Sequence, residues 1–401
     1  MKPYCSQLAC STCLNGNISH YHKIQPELAH ALASRHVTFT LNSAVALNDL
    51  HALALYVIIR GAAPFHYNWV NPQHPYEEFF NEKNPEHWRM QAQWLLYKKL
   101  MRPLNTGIAK NVIMFLGDGM SISTLAATRV YMAKGQGYFG EELKLSFEDF
   151  PYTGLSKTYC VDSNVADSAC SGTAYLTGVK ANYGTIGVSG GAERGRCGVS
   201  AGGDAVPGLT AWAQRAGKKT GVVTTTRITH ATPASAYAHS AERRWEADAD
   251  IPAEERFCQD IASQLVRGEV GSKIDVILGG GRSNFYSTSQ LDNDKKPGRR
   301  EDGANLIEEW LVKKNIFGST AKYVENRSEF LDLDVEKYNS ILGLFSEDHL
   351  PYHLEANSAK DPTLSEMTQK AIEILGHRNE NGFFLFVEGK KMFSLSLNKY
   401  K

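Results

Sequence analysis

From Val112 to Leu116 every residue is apolar, and the run closes on Gly117-Asp118-Gly119. No other feature narrows the fold as much. Apolar side chains at successive positions, not alternating ones, suit a strand buried on both faces, as in a parallel sheet covered by helices. The acidic residue at its end would sit at the carboxyl edge of that sheet, where open α/β folds bind ligands. A second run of this kind, Gly382-Phe-Phe-Leu-Phe-Val387, is followed by Glu388. Between these two strands the pattern alternates. Helical spacing covers 84–100 (Trp88, Ala92, Leu95, Leu96 and Leu100 on one face), 121–133, 209–216, 254–267 and 304–313. Strands are predicted over 111–116, 219–225 and 274–278, and a capping box at Thr363-x-x-Glu366 opens a helix that turns Met367, Ala371, Ile374 and Leu375 inward. Such alternation predicts an α/β fold: a doubly wound, mostly parallel central sheet flanked by helices.

The stretch from Asn164 to Gly187 holds the most reactive candidate. Asp167-Ser168-Ala169 precedes a run of small residues that reads as a helix, so Ser168 lies at a helix N-terminus, where unpaired N–H groups and the dipole favour an anion. A serine there also serves as a simple N-cap, and the local pattern leaves both roles open. Gly279-Gly-Gly-Arg282 lacks the Lys-Ser/Thr of a P-loop and the spacing of a dinucleotide turn, and reads as a strand-end turn.

Composition excludes some classes. Lys+Arg and Asp+Glu both total 43, a net charge of zero that offers no nucleic-acid footprint. No run of eighteen apolar residues exists to span a membrane. Cys10-x-x-Cys13 has no second pair to complete a zinc site, and the sequons at Asn17 and Asn326 carry glycans only in a secreted chain. Residues 44–63 are mostly apolar but broken by Asn48, Asp49, His51 and Arg60, unlike a signal peptide, which begins near the first methionine.

Taken together, F-L-G-D-G-M, D-S-A-x-x-x-T-A-Y-L-x-G-V-K, T-T-T-R-I-T-H-A-T-P, I-L-G-G-G-R and G-F-F-L-F-V-E-G resemble, in order and spacing, the animal-type alkaline phosphatases. The resemblance runs from about residue 75 to 389. It implies an alkaline-phosphatase-like domain there, a poorly ordered unmatched segment over 1–74, and an unrelated tail over 390–401. The implied chemistry is hydrolysis of small phosphate monoesters through a phosphoserine intermediate, with two zinc ions and one magnesium ion. Ser168 would be the nucleophile. Asp118 would bridge zinc and magnesium, with Thr232 and Glu388 completing the magnesium ligands. Arg243 would grip the phosphate, oriented by Asp167, with His230 near the magnesium-bound water. In a secreted chain the Asn326 sequon is the expected glycan site. The resemblance further implies a Cys197–Cys258 disulfide and a calcium site using the Phe345 carbonyl and Asp361. At that site the family's glutamate is Ser346, and Glu347 is the candidate replacement. It also implies a homodimer at the cell surface or outside the cell, with membrane association only through a GPI anchor that these 401 residues do not show.

The pattern departs from the family after Gly389. The aspartate and histidines that would complete both zinc sites do not follow, and no histidine comes after His377. The expectation is therefore a C-terminally truncated fold. Its alternative function is that of a catalytically dead fragment or pseudoenzyme holding magnesium and phosphate. A sulfatase is disfavoured because its C-x-P-x-R motif is missing.

Overall fold

The computed structural model describes residues 82–389 apart from 136, 138 and 198–203. The expectations for 1–74, Asn17, Cys10, Cys13, 44–63 and 390–401 lie outside the described residues. Two units separate along the chain, Met1–Leu104 and Asn105–Lys401. In the first, helix α1 (Pro85–Leu100) is capped by Asn84, whose side chain accepts from the Glu86 N–H, and Pro85 supplies a preset first turn. Its predicted apolar face is largely exposed, Trp88 and Leu100 included.

The second unit contains the sheet. Strand β1 (Val112–Gly117) leads into helix α2 (Ile122–Ala133), and helix α3 spans Ser168–Thr177. Next come α4 (Leu209–Arg215), β2 (Lys219–Arg227), the short α5 (Ala231–Ala234), α6 (Ile261–Arg267) and β3 (Val276–Gly280). The chain continues through α7 (Leu306–Ile316), β4 (Ala321–Val324), α8 (Arg327–Leu331), β5 (Ser340–Leu344), α9 (Leu364–Gly376) and β6 (Phe383–Gly389). All strand pairs are parallel, in the order β1-β6-β2-β3-β5-β4.

The two faces of the sheet bury alternate residues, as the pleat requires. Phe384 and Phe386 of β6, Val222 of β2, Ile277 of β3 and Leu342 of β5 pack with Leu176 of α3, Leu265 of α6 and Trp310 of α7. On the opposite face, Phe383, Leu385 and Val387 join Val223, Leu278 and Ile341 against Phe330 of α8 and Met367, Ala371 and Ile374 of α9. Helices on both faces make the fold doubly wound. The capping box that starts α9 is formed in both directions, Glu366 N–H to Thr363 Oγ1 at 3.2 Å and Thr363 N–H to the Glu366 carboxylate at 2.9 Å.

Three local expectations need correction. The helix expected over 254–267 is broken: a 3-10 turn, Ala253–Glu255, precedes α6, which starts only where Asp260 caps the Ser263 N–H at 2.8 Å. Strand β3 runs on through Gly279 and Gly280, where a turn was expected. A Cβ at Gly280 would come within 2.1 Å of the Asp348 carbonyl oxygen, so glycine lets that loop close over the strand end. Strands β4 and β5 were not anticipated. Four and five residues long, they are too short to show a period of their own, and β5 is interrupted by Gly343.

Candidate active site

The parallel register brings the two acidic strand ends together. Leu116 pairs with Glu388 and Gly117 with Gly389, and the Asp118 N–H then donates to the Gly389 carbonyl at 3.1 Å. On the other side of β6, Thr224 pairs with Glu388. Glu388 shares the sheet face of Phe384 and Phe386, the face covered by α3. One Glu388 oxygen accepts from the hydroxyls of Thr224 at 2.5 Å and Thr226 at 3.0 Å, while Oε1 has no hydrogen-bond partner although fully buried. Burial, and then the charge of Asp118, push the Glu388 pKa up to about 7 against the restraining threonine hydroxyls. Thr232 is among those hydroxyls that lower it, being close to the carboxylate, yet its buried Oγ1 makes no hydrogen bond of proper geometry.

Helix α3 supplies the nucleophile candidate. The N-cap is Asp167, not Ser168: its side chain accepts from the Cys170 N–H at 3.1 Å. Ser168 is thus the first helical residue, and its hydroxyl is left to donate to Asp118 Oδ1 at 3.1 Å. The Asp167 carboxylate also receives the Gly184 N–H at 3.2 Å and Arg243 Nη1 at 2.7 Å. Burial opposes its ionisation, but the Cys170 N–H, Arg243 and the Gly184 N–H prevail and its pKa is lowered. The other arm of Arg243 reaches His230 Nε2 at 3.1 Å. His230 stands before α5, and ligand atoms of Asp118, His230 and Glu388 all lie within 4.8 Å of one another. The structure therefore gathers Asp118, Ser168, Asp167, His230, Arg243, Thr232 and Glu388, drawn from the ends of β1 and β6, the start of α3, α5 with its cap, and the loop that follows α5.

Residues beyond this group join it. His349 packs edge-on against His230, ring centroids 5.4 Å apart, and its Nδ1 accepts from the Arg227 N–H at 3.1 Å. Sequence reasoning missed His349, Thr224 and Thr226. The T-T-T run at the end of β2 was the available signal, since alternate hydroxyls at a strand end face one point. Among the described residues, no group of three acidic, imidazole or thiol donors includes Asp361, whose carboxylate accepts from the Asn357 N–H at 2.9 Å, and Phe345 is buried at the end of β5. Cys197 and Cys258 are disulfide-bonded, Cα atoms 6.3 Å apart, and a second, unanticipated disulfide joins Cys160 to Cys170. Asn326 caps α8, its side-chain oxygen accepting from the Glu329 N–H at 2.9 Å.

These donors can be tested against the implied ions. Asp118, Thr232 and Glu388 offer oxygens only, two of them buried and without a hydrogen bond, which suits a hard ion such as magnesium. Zinc does not fit as well. Among the described residues, the carboxylate hydrogen-bonded to Ser168 is that of Asp118, and the one imidazole grouped with it, His230, is engaged by Arg243, which leaves fewer than the four ligands zinc takes.

Residues 109–393 match the alkaline phosphatase family model. The chain is 49% identical over 292 residues to a membrane-bound alkaline phosphatase of Bombyx mori, covering 71% of this chain and 52% of that protein. It is 46% identical over 319 residues to the tissue-nonspecific alkaline phosphatase isozyme of Homo sapiens, covering 78% and 60%. In structure it resembles the alkaline phosphatase of Thermus thermophilus, with a TM-score of 0.52 and 29% identity over 71% of this chain and 50% of that one. The chain thus spans about half to three-fifths of the length of these relatives.

Proposed function

The chain belongs to the alkaline phosphatase family, and on that premise we propose that it captures the phosphoryl group of small phosphate monoesters on Ser168. One observation carries the reading: at a helix N-terminus, the Ser168 hydroxyl donates to the strand-end carboxylate of Asp118, while Arg243 is held against the same opening by Asp167. Asp118 Oδ1 holds the hydroxyl proton, which leaves the oxygen's lone pairs free for phosphorus. As the new oxygen–phosphorus bond forms and the bond from phosphorus to the ester oxygen breaks, the serine proton passes to Asp118, and the departing ester oxygen takes a proton from water to leave as the alcohol. Arg243, with one arm fixed by Asp167, offers its donors to the non-bridging oxygens, and the first N–H groups of α3 favour the same negative charge. A divalent ion on Asp118, Thr232 and Glu388 would add positive charge beside the nucleophile. Phosphate monoesters are so inert that an enzyme must supply on the order of 20 kcal/mol.

The donor count favours a second reading within the same frame. Among the described residues, Asp118, Thr232 and Glu388 suit one oxygen-ligated ion better than zinc, which supports a reading in which the chain binds phosphate and accepts a phosphoryl group with at most trace turnover. One experiment tests both. Protein incubated with an aryl phosphate and magnesium, quenched in acid and digested, should carry phosphate on the Ser168 peptide, and Ser168→Ala should carry none. Release of more aryl alcohol than one equivalent per chain separates the enzyme from the non-turning binder. Phosphate on another residue, or on none, refutes the proposal.

Two disulfides fit an oxidising compartment, and the silkworm relative is by its name membrane-bound, so we place the protein at the cell surface or outside the cell. Among the described residues no helix is long and apolar enough to cross a membrane. A glycan at Asn326 and a homodimer belong to the same reading. Glycosidase treatment and sedimentation of secreted protein test them.

A further inference from the structure

The geometry points to the Cys160–Cys170 disulfide as a positioning pair for the nucleophile, holding Asp167 and Ser168 in register with Asp118 and Arg243. The inference rests on the reading of Ser168 given above. The bridge closes ten residues of chain, and Asp167 and Ser168 lie inside that loop, three and two residues before Cys170. Cys170 belongs to the first turn of α3, and its own N–H is the group that Asp167 caps at 3.1 Å. Its sulfur lies 3.8 Å from the Asp167 carbonyl oxygen. Both cysteines are buried, packed with Ala181 and Ala166.

The other end of the bridge is anchored independently. The Cys160 N–H donates to the Ser163 carbonyl at 2.9 Å and the Val161 N–H to the Ala181 carbonyl at 3.0 Å. Lys180 donates to the carbonyls of Lys157 at 2.7 Å and Tyr159 at 2.6 Å, and its ammonium lies 3.9 Å from the Tyr159 ring centre. The segment before Cys160 is thereby fixed to the chain that follows α3, and the bridge ties the first turn of α3 to that segment. The loop from Val161 to Ala166 leaves Val161 and Val165 exposed, and past Asp162, which accepts from the Tyr183 N–H at 2.7 Å, its side-chain hydrogen bond is that of Ser163 to the Val165 carbonyl at 3.0 Å. Without the bridge, the first turn would be held by hydrogen bonds alone, those of Asp167 with Cys170, Gly184, Arg243 and Ser171 and that of Ser168 with Asp118, and helix ends fray readily. A carboxylate that must cap a helix and orient an arginine at once tolerates little movement, since a shift of about 1 Å at a catalytic group costs roughly a hundredfold in rate.

The test compares the full chain with Cys160→Ser/Cys170→Ser, and with Cys197→Ser/Cys258→Ser as a disulfide loss away from the nucleophile. Two readouts are taken in magnesium: affinity for inorganic phosphate by calorimetry, and hydrogen exchange at the Cys170 and Gly184 amides, both of which donate to Asp167. The first variant should lose at least tenfold in phosphate affinity and at least tenfold in protection at those two amides. The Cys197→Ser/Cys258→Ser variant should stay within twofold on both, whatever its melting temperature. Protection and affinity within twofold in the first variant would overturn the proposal and leave the bridge a simple staple, as would free thiols at Cys160 and Cys170 in oxidised, folded protein. If no form of the protein binds phosphate, the proposed function fails, and the amide protection alone then decides the positioning role. If the first variant does not fold, brief phosphine reduction of folded Cys197→Ser/Cys258→Ser protein, with thiols counted by mass, provides the same exchange readout. Unchanged protection after reduction counts against the inference.

Discussion

Replacing Glu388 by glutamine in metal-free protein should stabilise it at alkaline pH, although it removes a residue from the centre of the site. The carboxylate is fully buried, and its pKa stands at about 7 against an ordinary 4.5. An acid with a raised folded-state pKa costs stability wherever the unfolded chain has already lost its proton. Below about pH 4.5 the side chain is protonated in both states and contributes nothing. Between 4.5 and 7 the cost grows, and above 7 it levels off at the full shift, about 3 kcal/mol at 1.36 kcal/mol per pKa unit. Glutamine keeps an acceptor for Thr224 and Thr226 and has no charge to bury. Urea denaturation in EDTA should therefore find Glu388→Gln more stable than the wild type by about 3 kcal/mol at pH 8, with the curves converging near pH 4.5. Added magnesium should raise the wild type at pH 8 and leave Glu388→Gln unmoved, because only the carboxylate gains a compensating charge. A metal-free Glu388→Gln less stable than the wild type at pH 8 would refute the reasoning, since the carboxylate would then be compensated by the protein itself.

Other outcomes follow from the packing. The Cys197–Cys258 bridge spans 61 residues, for which the chain-entropy model gives roughly 4 kcal/mol. Cys197→Ser/Cys258→Ser should lose a comparable amount in equilibrium denaturation, and a loss below about 1 kcal/mol would show that the linked segments are held by other contacts. Arg282→Met should cost about 3–5 kcal/mol, because Arg282 donates to Asp292 Oδ2 at 2.9 and 2.7 Å and both side chains are buried. Adding Asp292→Asn should restore much of that loss, and a double variant no better than the single would refute the charge argument. A Gly382→Ala variant should fail to express as soluble protein, since its Cβ would lie 1.9 Å from the Lys110 carbonyl oxygen and the residue has a φ of 77°.

Much of the architecture was readable because it depends on local chemistry. The two apolar runs that end in Asp118 and Glu388 mark parallel strands by composition alone, but only β6 is buried: β1 lies at the sheet edge and leaves Val112 and Phe115 exposed, a difference that the sheet order sets and the local pattern does not. The capping box at Thr363 and Glu366 is local in the same sense. The short strands β4 and β5 were not legible, because their strandness comes from the neighbour each pairs with. The break before α6 was hidden for a similar reason: the carboxylate of Asp260 that caps Ser263 is held in place by Arg300, 40 residues further on.

The sequence by itself determined which residue types were available at the site: a serine after an aspartate, two strand-end carboxylates, an arginine and a run of threonines. The tertiary structure decided what each is bonded to. Asp167 takes the cap, and that frees the Ser168 hydroxyl for Asp118, 50 residues away. Thr224 and Thr226 face Glu388 across 164 and 162 residues, which no local pattern encodes. Cysteine pairing is of the same kind. Nothing in the spacing of Cys160 and Cys170 marks them as partners, because a disulfide requires two Cα atoms within about 7 Å, and that distance exists only after the chain has folded.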